Sequence, residues 1–233
     1  MSGKYSAVLF SGGLDSAVLL AEAARDGRVR ALYVSVGFAW EREERAAIAR
    51  LLAAPPFAGA IDPLVDLRFD MRDVFPPSHW AVRGEAPAFD TPDEDVYLHG
   101  RNLTLLSKAA IYMARHATSD AAGPPDVTRI LLGPLAGNPF PDATLEFFDT
   151  MARALSLGLA TPIAIEAPYR SLHKHDVIRR GIELGVPLEL TLSCMQPEGG
   201  MHCGRCSKCR ERRDAFREAG VEDPTQYRRA PIR

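Results

Sequence analysis

Between an apolar run, Ser6-Ala7-Val8-Leu9-Phe10, and an amphipathic stretch beginning near Ser16 lies the segment Ser11-Gly12-Gly13-Leu14-Asp15-Ser16. A buried strand that turns through paired glycines straight into a helix leaves few folds open. It is the strand–turn–helix unit of α/β proteins, with the turn at the carboxyl edge of the first strand. The glycines let the backbone approach an anion closely and adopt positive φ. The Ser11 and Ser16 hydroxyls add donors, and the helix start offers unpaired N–H groups with a favourable dipole. No G-x-x-x-x-G-K-[ST] occurs in the chain, so this turn carries no lysine of that motif. Asp15 is out of place at an anion site unless Mg²⁺ binds beside it or it caps the helix. A plain Gly-Gly turn with an Asp cap is the bland alternative.

The same rhythm continues downstream. Val29 to Val36 reads as a strand, and Glu41 to Ala54 as a charged amphipathic helix ended by Pro55-Pro56. Pro63 to Phe69 reads as another strand. Residues 76–100 break the pattern with prolines, acids and isolated aromatics, as a binding loop or a solvated insertion would. A helix from Leu103 to Arg115, a turn at Gly123-Pro124-Pro125, a strand from Arg129 to Gly133 and a helix from Thr144 to Leu157 follow. Ile163 to Glu166 and Leu188 to Leu192 read as strands, with a helix from Ser171 to Leu184 between them. Strands separated by helices predict an α/β domain over residues 1–192, a parallel sheet with helices on both faces. Residues 193–233, with an Arg-rich helix, form a small C-terminal appendage.

All four cysteines lie in that appendage, as Cys194-x8-Cys203-x2-Cys206-x2-Cys209. A disulfide scaffold would spread its cysteines through a smaller chain. Four thiolates with no open position fit a structural, tetrahedral Zn²⁺ site, and Gly204 relieves the turn between two of them. An iron–sulfur cluster is the rival, because C-x2-C-x2-C also opens ferredoxin motifs. Here the fourth cysteine precedes the run, which favours zinc. Arg205, Lys208, Arg210, Arg212 and Arg213 are there to offset the thiolate charge, or to bind phosphate or RNA. A net charge of -2 over 233 residues argues against a surface built wholesale for nucleic acid. No signal sequence opens the chain and no apolar run approaches the ~20 residues of a membrane span. The expectation is a cytoplasmic protein.

The hexapeptide resembles the signature of the PP-loop ATP pyrophosphatases, of the adenine nucleotide alpha hydrolase-like fold. That resemblance implies that ATP is split between its α and β phosphates while the loop holds pyrophosphate. Phe10 through Leu20 (Phe10, Ser11, Gly12, Gly13, Leu14, Asp15, Ser16, Ala17, Val18, Leu19 and Leu20) is then the nucleotide-binding segment. With the cysteines added, the chain resembles the 7-cyano-7-deazaguanine synthases of queuosine and deazapurine biosynthesis. Gly100-Arg101-Asn102 before a small-residue helix is similar to that family's Gly-Arg-Asn segment. Phe140-Pro141-Asp142 with Glu146-Phe147 is similar to its Tyr-Pro-Asp and trailing Glu-Phe. Lys174, Gly185-Val186-Pro187, Thr191, Ser193-Cys194 and the cysteine run match its C-terminal pattern. The chain departs at Ala136-Gly137-Asn138-Pro139, at Ala143-Thr144, and at Gly37-Phe38-Ala39-Trp40, where the family carries Gly-Gln-Arg-His.

The resemblance implies that the carboxylate of 7-carboxy-7-deazaguanine is adenylated and that ammonia displaces AMP. A second adenylation and loss of AMP then give the nitrile. The cofactors implied are ATP, Mg²⁺ and Zn²⁺, with no nucleic-acid or membrane partner and room for a homodimer. Asp15, Ser16, Arg101 and Lys174 are the catalytic candidates, and Arg101, Asn102, Phe140 and Asp142 the substrate candidates. Four of these have a plainer alternative: Arg101 a surface arginine, Asn102 an N-cap, Lys174 an exposed lysine, and Asp142 a cap for the helix near Thr144, the reading favoured there. No segment resembles a glutaminase, so free ammonium or a partner supplies nitrogen. Two other functions stay open: a PP-loop enzyme adenylating another carboxylate or a tRNA base, and a non-catalytic zinc-knuckle protein.

Overall fold

The computed structural model describes residues 4–116 and 128–229. Five strands, β1 (Lys4–Leu9), β2 (Gly27–Ser35), β3 (Asp62–Arg68), β4 (Thr128–Leu131) and β5 (Ile163–Glu166), form one sheet in the order β3-β2-β1-β4-β5. All four pairings are parallel. Parallel neighbours require crossovers, and helices supply them. They are α1 (Leu14–Asp26), α2 (Glu41–Ala53), a four-residue α3 (Trp80–Arg83), α4 (Arg101–His116) and α5 (Leu145–Leu159), with α6 (Lys174–Glu183) and α7 (Ser207–Ala219) after the last strand.

Side chains alternate across the central strands, so both faces are buried and both are covered. Val8 on β1 and Val29, Ala31 and Tyr33 on β2 pack with α1, α2, α6 and α7. Ala7, Leu32 and Ile130 pack on the opposite face with Leu106, Ala110 and Met113 of α4 and Phe148 of α5. Phe216 of α7, 1% exposed, lies in the same core as Val18 of α1. Burying a side chain of that size stabilises by about 1.5–3 kcal/mol. After β3 the chain crosses to the far side of β1, so the carboxyl ends of β1 and β4 diverge. In open α/β sheets that is where a ligand crevice opens.

The parallel sheet with helices on both faces is as expected. The sixth strand is not. Leu188–Leu190 is a single 3-10 turn outside the sheet. Its ladder groups are engaged elsewhere: Leu188 O accepts from Arg212 Nη2 at 2.7 Å, and Leu192 N–H donates to Gly12 O at 2.8 Å. A short apolar run cannot reveal such competition by its periodicity. Helix α6 also begins three residues later than expected, at Lys174, where Asp176 accepts from the His173 N–H at 3.0 Å. Residues 76–100 are irregular apart from α3 and a 3-10 turn at Asp93–Val96. The expected turn at Gly123-Pro124-Pro125 lies outside the described residues.

Candidate functional site

Helix α1 starts one residue after the double glycine. Its first intrahelical bond runs from Ala17 N–H to Gly13 O at 2.9 Å, so the amides of Leu14, Asp15 and Ser16 have no acceptor in the helix. Gly12 sits at φ +73°, and a Cβ there would meet Ile48 Cγ1 at 3.0 Å. Gly13 N–H leans toward Ser11 Oγ at 3.4 Å, and Ser16 Oγ donates to Gly13 O at 3.0 Å. The result is a tight bend that borders, through Ser11, Gly13, Leu14 and Asp15, a cavity of about 360 Å³ at the diverging strand ends. That is the geometry of an anion cradle.

Lys174 reaches this bend from the first turn of α6. Its ammonium lies 3.3 Å from Asp15 Oδ2 and is also paired with Glu211 of α7. Burial works against its charge, but the carboxylates of Asp15 and Glu211 outweigh burial and hold the lysine protonated, above its ordinary range. Burial pushes the Asp15 carboxyl up, with Lys174 opposing, and Asp15 Oδ1 is buried with no protein partner. Glu211 is buried too, yet Lys174 and Lys208 bring it down to about 2. Lys208 bonds Glu211 at 2.7 Å and Asp93 at 3.3 Å.

The opposite wall comes from the start of α4. Arg101 borders the main cavity and an adjoining one of about 250 Å³, and its Nε is buried without a partner. Asn102 donates from its backbone N–H to Asp142 Oδ2 (3.2 Å), and from Nδ2 to Asp142 O (2.9 Å) and Oδ1 (3.2 Å). Asp142, 4% exposed, therefore anchors the first turn of α4. It does not cap the following helix, because Thr144 does so with its own hydroxyl, accepting from Phe147 N–H at 3.2 Å. Phe140 stacks on Tyr97, centroids 5.2 Å apart, and both rings line the main cavity.

Several site residues carry no mark in the sequence: Asp93 and Tyr97 lie in the irregular 76–100 stretch, and Glu44 and Glu211 lie on charged helices. Glu44 is buried at the junction of both cavities, where Tyr33 OH donates to it at 2.8 Å. Burial raises its carboxyl to about 6 despite the Arg101 guanidinium and the hydrogen bonds from Tyr33 and Trp40. Glu211 passed as one more polar residue of the Arg-rich helix. Its i,i+3 spacing from Lys208 was the available signal.

The four cysteines come together as the sequence implies. Their sulfurs lie within 4.8 Å of one another, with Cys206–Cys209 at 3.4 Å, Cys203–Cys209 at 3.8 Å and Cys194–Cys206 at 4.0 Å. These spacings are far beyond the ~2.05 Å of a disulfide. They suit four sulfurs around one metal ion, where metal–sulfur bonds of about 2.3 Å place the sulfurs roughly 3.8 Å apart. Gln196 N–H (3.3 Å) and Cys203 N–H (3.2 Å) point at Cys194 Sγ. Cys194 borders the main cavity, so the cluster and the glycine bend both reach it.

The basic run divides. Arg212 is fully buried and staples the chain, bonding Thr191 Oγ1 at 2.8 Å, Ser193 Oγ at 3.1 Å, Leu188 O and Thr225 Oγ1. Arg213 bonds backbone carbonyls of the knuckle, and Lys208 enters the cavity. Ser11, Gly13, Leu14, Asp15, Arg101, Asn102, Phe140, Asp142 and Lys174 all line the main cavity. Phe10 and Ser16 line the adjoining one, while Ala17, Val18, Leu19 and Leu20 point into the core and line neither. His99, His173 and His175 take no part in the cysteine cluster.

Comparison with known proteins places the chain in a family. A family profile described as "Queuosine biosynthesis protein QueC" matches residues 5–220. The 7-cyano-7-deazaguanine synthase of Methanopyrus kandleri is 37% identical, over 94% of this chain and 97% of that one. The enzyme of the same name from Methanothrix thermoacetophila is 34% identical, over 94% of this chain and 96% of its own. That of Anaeromyxobacter dehalogenans is 36% identical, over 94% of both.

Proposed function

The chain belongs to the QueC family of queuosine biosynthesis proteins, and from that membership we propose that it converts 7-carboxy-7-deazaguanine and ammonia to 7-cyano-7-deazaguanine, using ATP. The observation that carries the proposal is a single cavity. It joins a bend of unpaired amides, two cations (Lys174 and Arg101) and an aromatic wall of Tyr97 and Phe140.

A carboxylate oxygen is a poor leaving group, whereas AMP is a good one. The acid attacks the α phosphorus of ATP, forming an acyl-adenylate and releasing pyrophosphate into the bend. Amides of residues 14–16 and the Ser11 and Ser16 hydroxyls receive that anion, and Lys174 offsets its charge. Arg101, with its unpartnered Nε, clamps the acid or the α phosphate from the opposite wall. Ammonia then displaces AMP to give the amide. A second ATP activates the amide oxygen, which departs with AMP and leaves the nitrile.

Asp15 would hold Mg²⁺: its buried, unpartnered Oδ1 fits an oxygen ligand at the edge of the bend, and the ion would neutralise developing phosphate charge. Cys194, Cys203, Cys206 and Cys209 would hold Zn²⁺, since four sulfurs without an open position suit a structural role. We read residues 1–192 as the ATP-binding domain and residues 193–233 as the metal-binding region. The setting proposed is cytoplasmic, with small-molecule substrates only, ammonia from free ammonium or a partner, and a form compatible with a homodimer. Among the described residues no helix is long and apolar enough to cross a membrane.

The test is incubation with ATP, Mg²⁺, ammonium and 7-carboxy-7-deazaguanine, followed by mass spectrometry. The nitrile and AMP are the expected products. AMP formed only with other acids would transfer the chemistry to a different acceptor, and no AMP with any acid would end the enzymatic reading.

A further inference from the structure

Residues 85–99 run beside the main cavity between two glycines in the left-handed region, Gly84 at φ +76° and Gly100 at φ +75°. Asp93, Val96, Tyr97 and Leu98 of this strap form one cavity wall. Its backbone contributes little to its own anchorage. The backbone–backbone bonds of residues 88–98 are all local: Thr91 N–H to Ala88 O, Asp95 N–H to Pro92 O, Tyr97 N–H to Glu94 O, and Arg101 N–H to Leu98 O. Side chains must therefore hold the strap to the body of the protein.

At its C-terminal half, Val96 and Leu98 are buried and Tyr97 stacks on Phe140. The N-terminal half is fastened by α7. The Phe89 ring takes the guanidinium of Arg213 at 5.3 Å and that of Arg210 at 5.9 Å from its centroid. Arg210 Nη2 also donates to Thr91 O at 3.4 Å, and Lys208 pairs with Asp93 at 3.3 Å. Arg213 is fixed before it meets Phe89. Its Nη2 donates to Gly204 O at 2.6 Å, its Nε to Cys209 O at 3.3 Å, and its guanidinium lies 5.0 Å over the Tyr227 ring. Phe89 is half-buried and does not line the cavity. Its two cations are therefore presented by a helix, while the ring belongs to an irregular segment whose backbone bonds are local.

We infer that Phe89 is a positioning residue for the acceptor acid: gripped by Arg210 and Arg213, it latches the 85–97 strap so that Tyr97 and Asp93 complete the acceptor end of the cavity. This rests on the function proposed above. Under the proposed function the pyrophosphate is met by the first turn of α1 and by Lys174 of α6, neither of which bonds Phe89, so the latch acts on the acceptor acid ahead of the nucleotide.

Phe89→Ala removes the ring from both cations and lowers the closed fraction of the strap, and apparent affinity falls with that fraction. The variant is expected to raise KM for 7-carboxy-7-deazaguanine roughly tenfold and leave KM for ATP unchanged. Hydrogen exchange of the residue 88–95 amides should quicken, and Phe89→Tyr, which keeps an aromatic face, should restore both readouts. A folded Phe89→Ala protein with native exchange, or with both KM values raised alike, would overturn the latch. So would faster exchange with an unmoved KM for the acid. If the native protein never turns over this acid, the proposed acceptor falls, and the exchange measurement alone still decides whether Phe89 fastens the strap.

Discussion

Lys174 Nζ stands 3.3 Å from Asp15 Oδ2, which ties the first turn of α6 to the first turn of α1 at the edge of the glycine bend. The pair is mostly buried, with side chains 15% and 26% exposed. Its lysine is shared with Glu211, so the cation is held in place before any anion arrives. Pre-placement of this kind lowers the reorganisation needed when charge develops in a reaction.

Asp15→Ala is therefore expected to reduce ATP-dependent AMP release by roughly 10²–10³-fold, the usual cost of removing one preorganised electrostatic group. Lys174 keeps Glu211 as its partner, so far-UV circular dichroism and the thermal midpoint should stay near native. Turnover at the native rate would remove Asp15 from the chemistry.

Much of this was legible in the sequence. The bend announced itself because two glycines, two serines and an acid between a strand and a helix have little other use. The cysteines did so because of their spacing. Lys174, undecided as a lone helix lysine, became interpretable only when the late start of α6 turned it toward Asp15. The cap reading of Asp142 fails because Thr144 caps α5, and the hydrogen-bond partner of Asp142, Asn102, is 40 residues away. Glu44 and Arg212 were illegible for the same reason: burial and long-range hydrogen bonds leave no periodic trace in a polar stretch. The strand expected at 188–192 failed because Arg212 takes the carbonyl a neighbouring strand would have used.

Glu44 gives a pH signature. Burial raises its carboxyl from 4.5 to about 6, so between those values the folded state binds more protons than the unfolded one. By linkage, stability falls as pH rises through that window, by about 2 kcal/mol in all, and is highest below it. Glu44→Gln keeps an acceptor for Tyr33 without the charge. The advantage of the variant over the native protein should thus grow by about 2 kcal/mol from pH 4.5 to pH 7.5 in urea titrations. An advantage that does not change with pH would show that Glu44 is not held up by burial.

Asn102→Ala should be costly although the residue lies at a partly exposed helix start. Asp142 would keep one bond, from the residue 102 backbone, and lose both from Nδ2 while remaining 4% exposed. Leaving such a group under-satisfied costs about 1–3 kcal/mol. Equilibrium denaturation checks it, and a change below about 0.5 kcal/mol would mean that Asp142 finds water or another donor.

The cysteine cluster should govern the site from a distance. Helix α7 follows directly from Cys206, and it carries Lys208 and Glu211 into the cavity and Arg210 and Arg213 onto the strap. Without a metal ion the four sulfurs would take up protons and lose the centre that gathers them within 4.8 Å, so metal removal is expected to loosen the knuckle and with it the start of α7. The purified protein is expected to be colourless and to contain about one zinc per chain. Cys203→Ser, or prolonged chelation, should lower the thermal midpoint and speed exchange at Glu211 and at Lys174 together, because the two share an ion pair. A brown preparation absorbing near about 400 nm would instead assign an iron–sulfur cluster. Metal removal without any change at Lys174 would show that the knuckle and the glycine bend, though both reach the main cavity, are not mechanically joined.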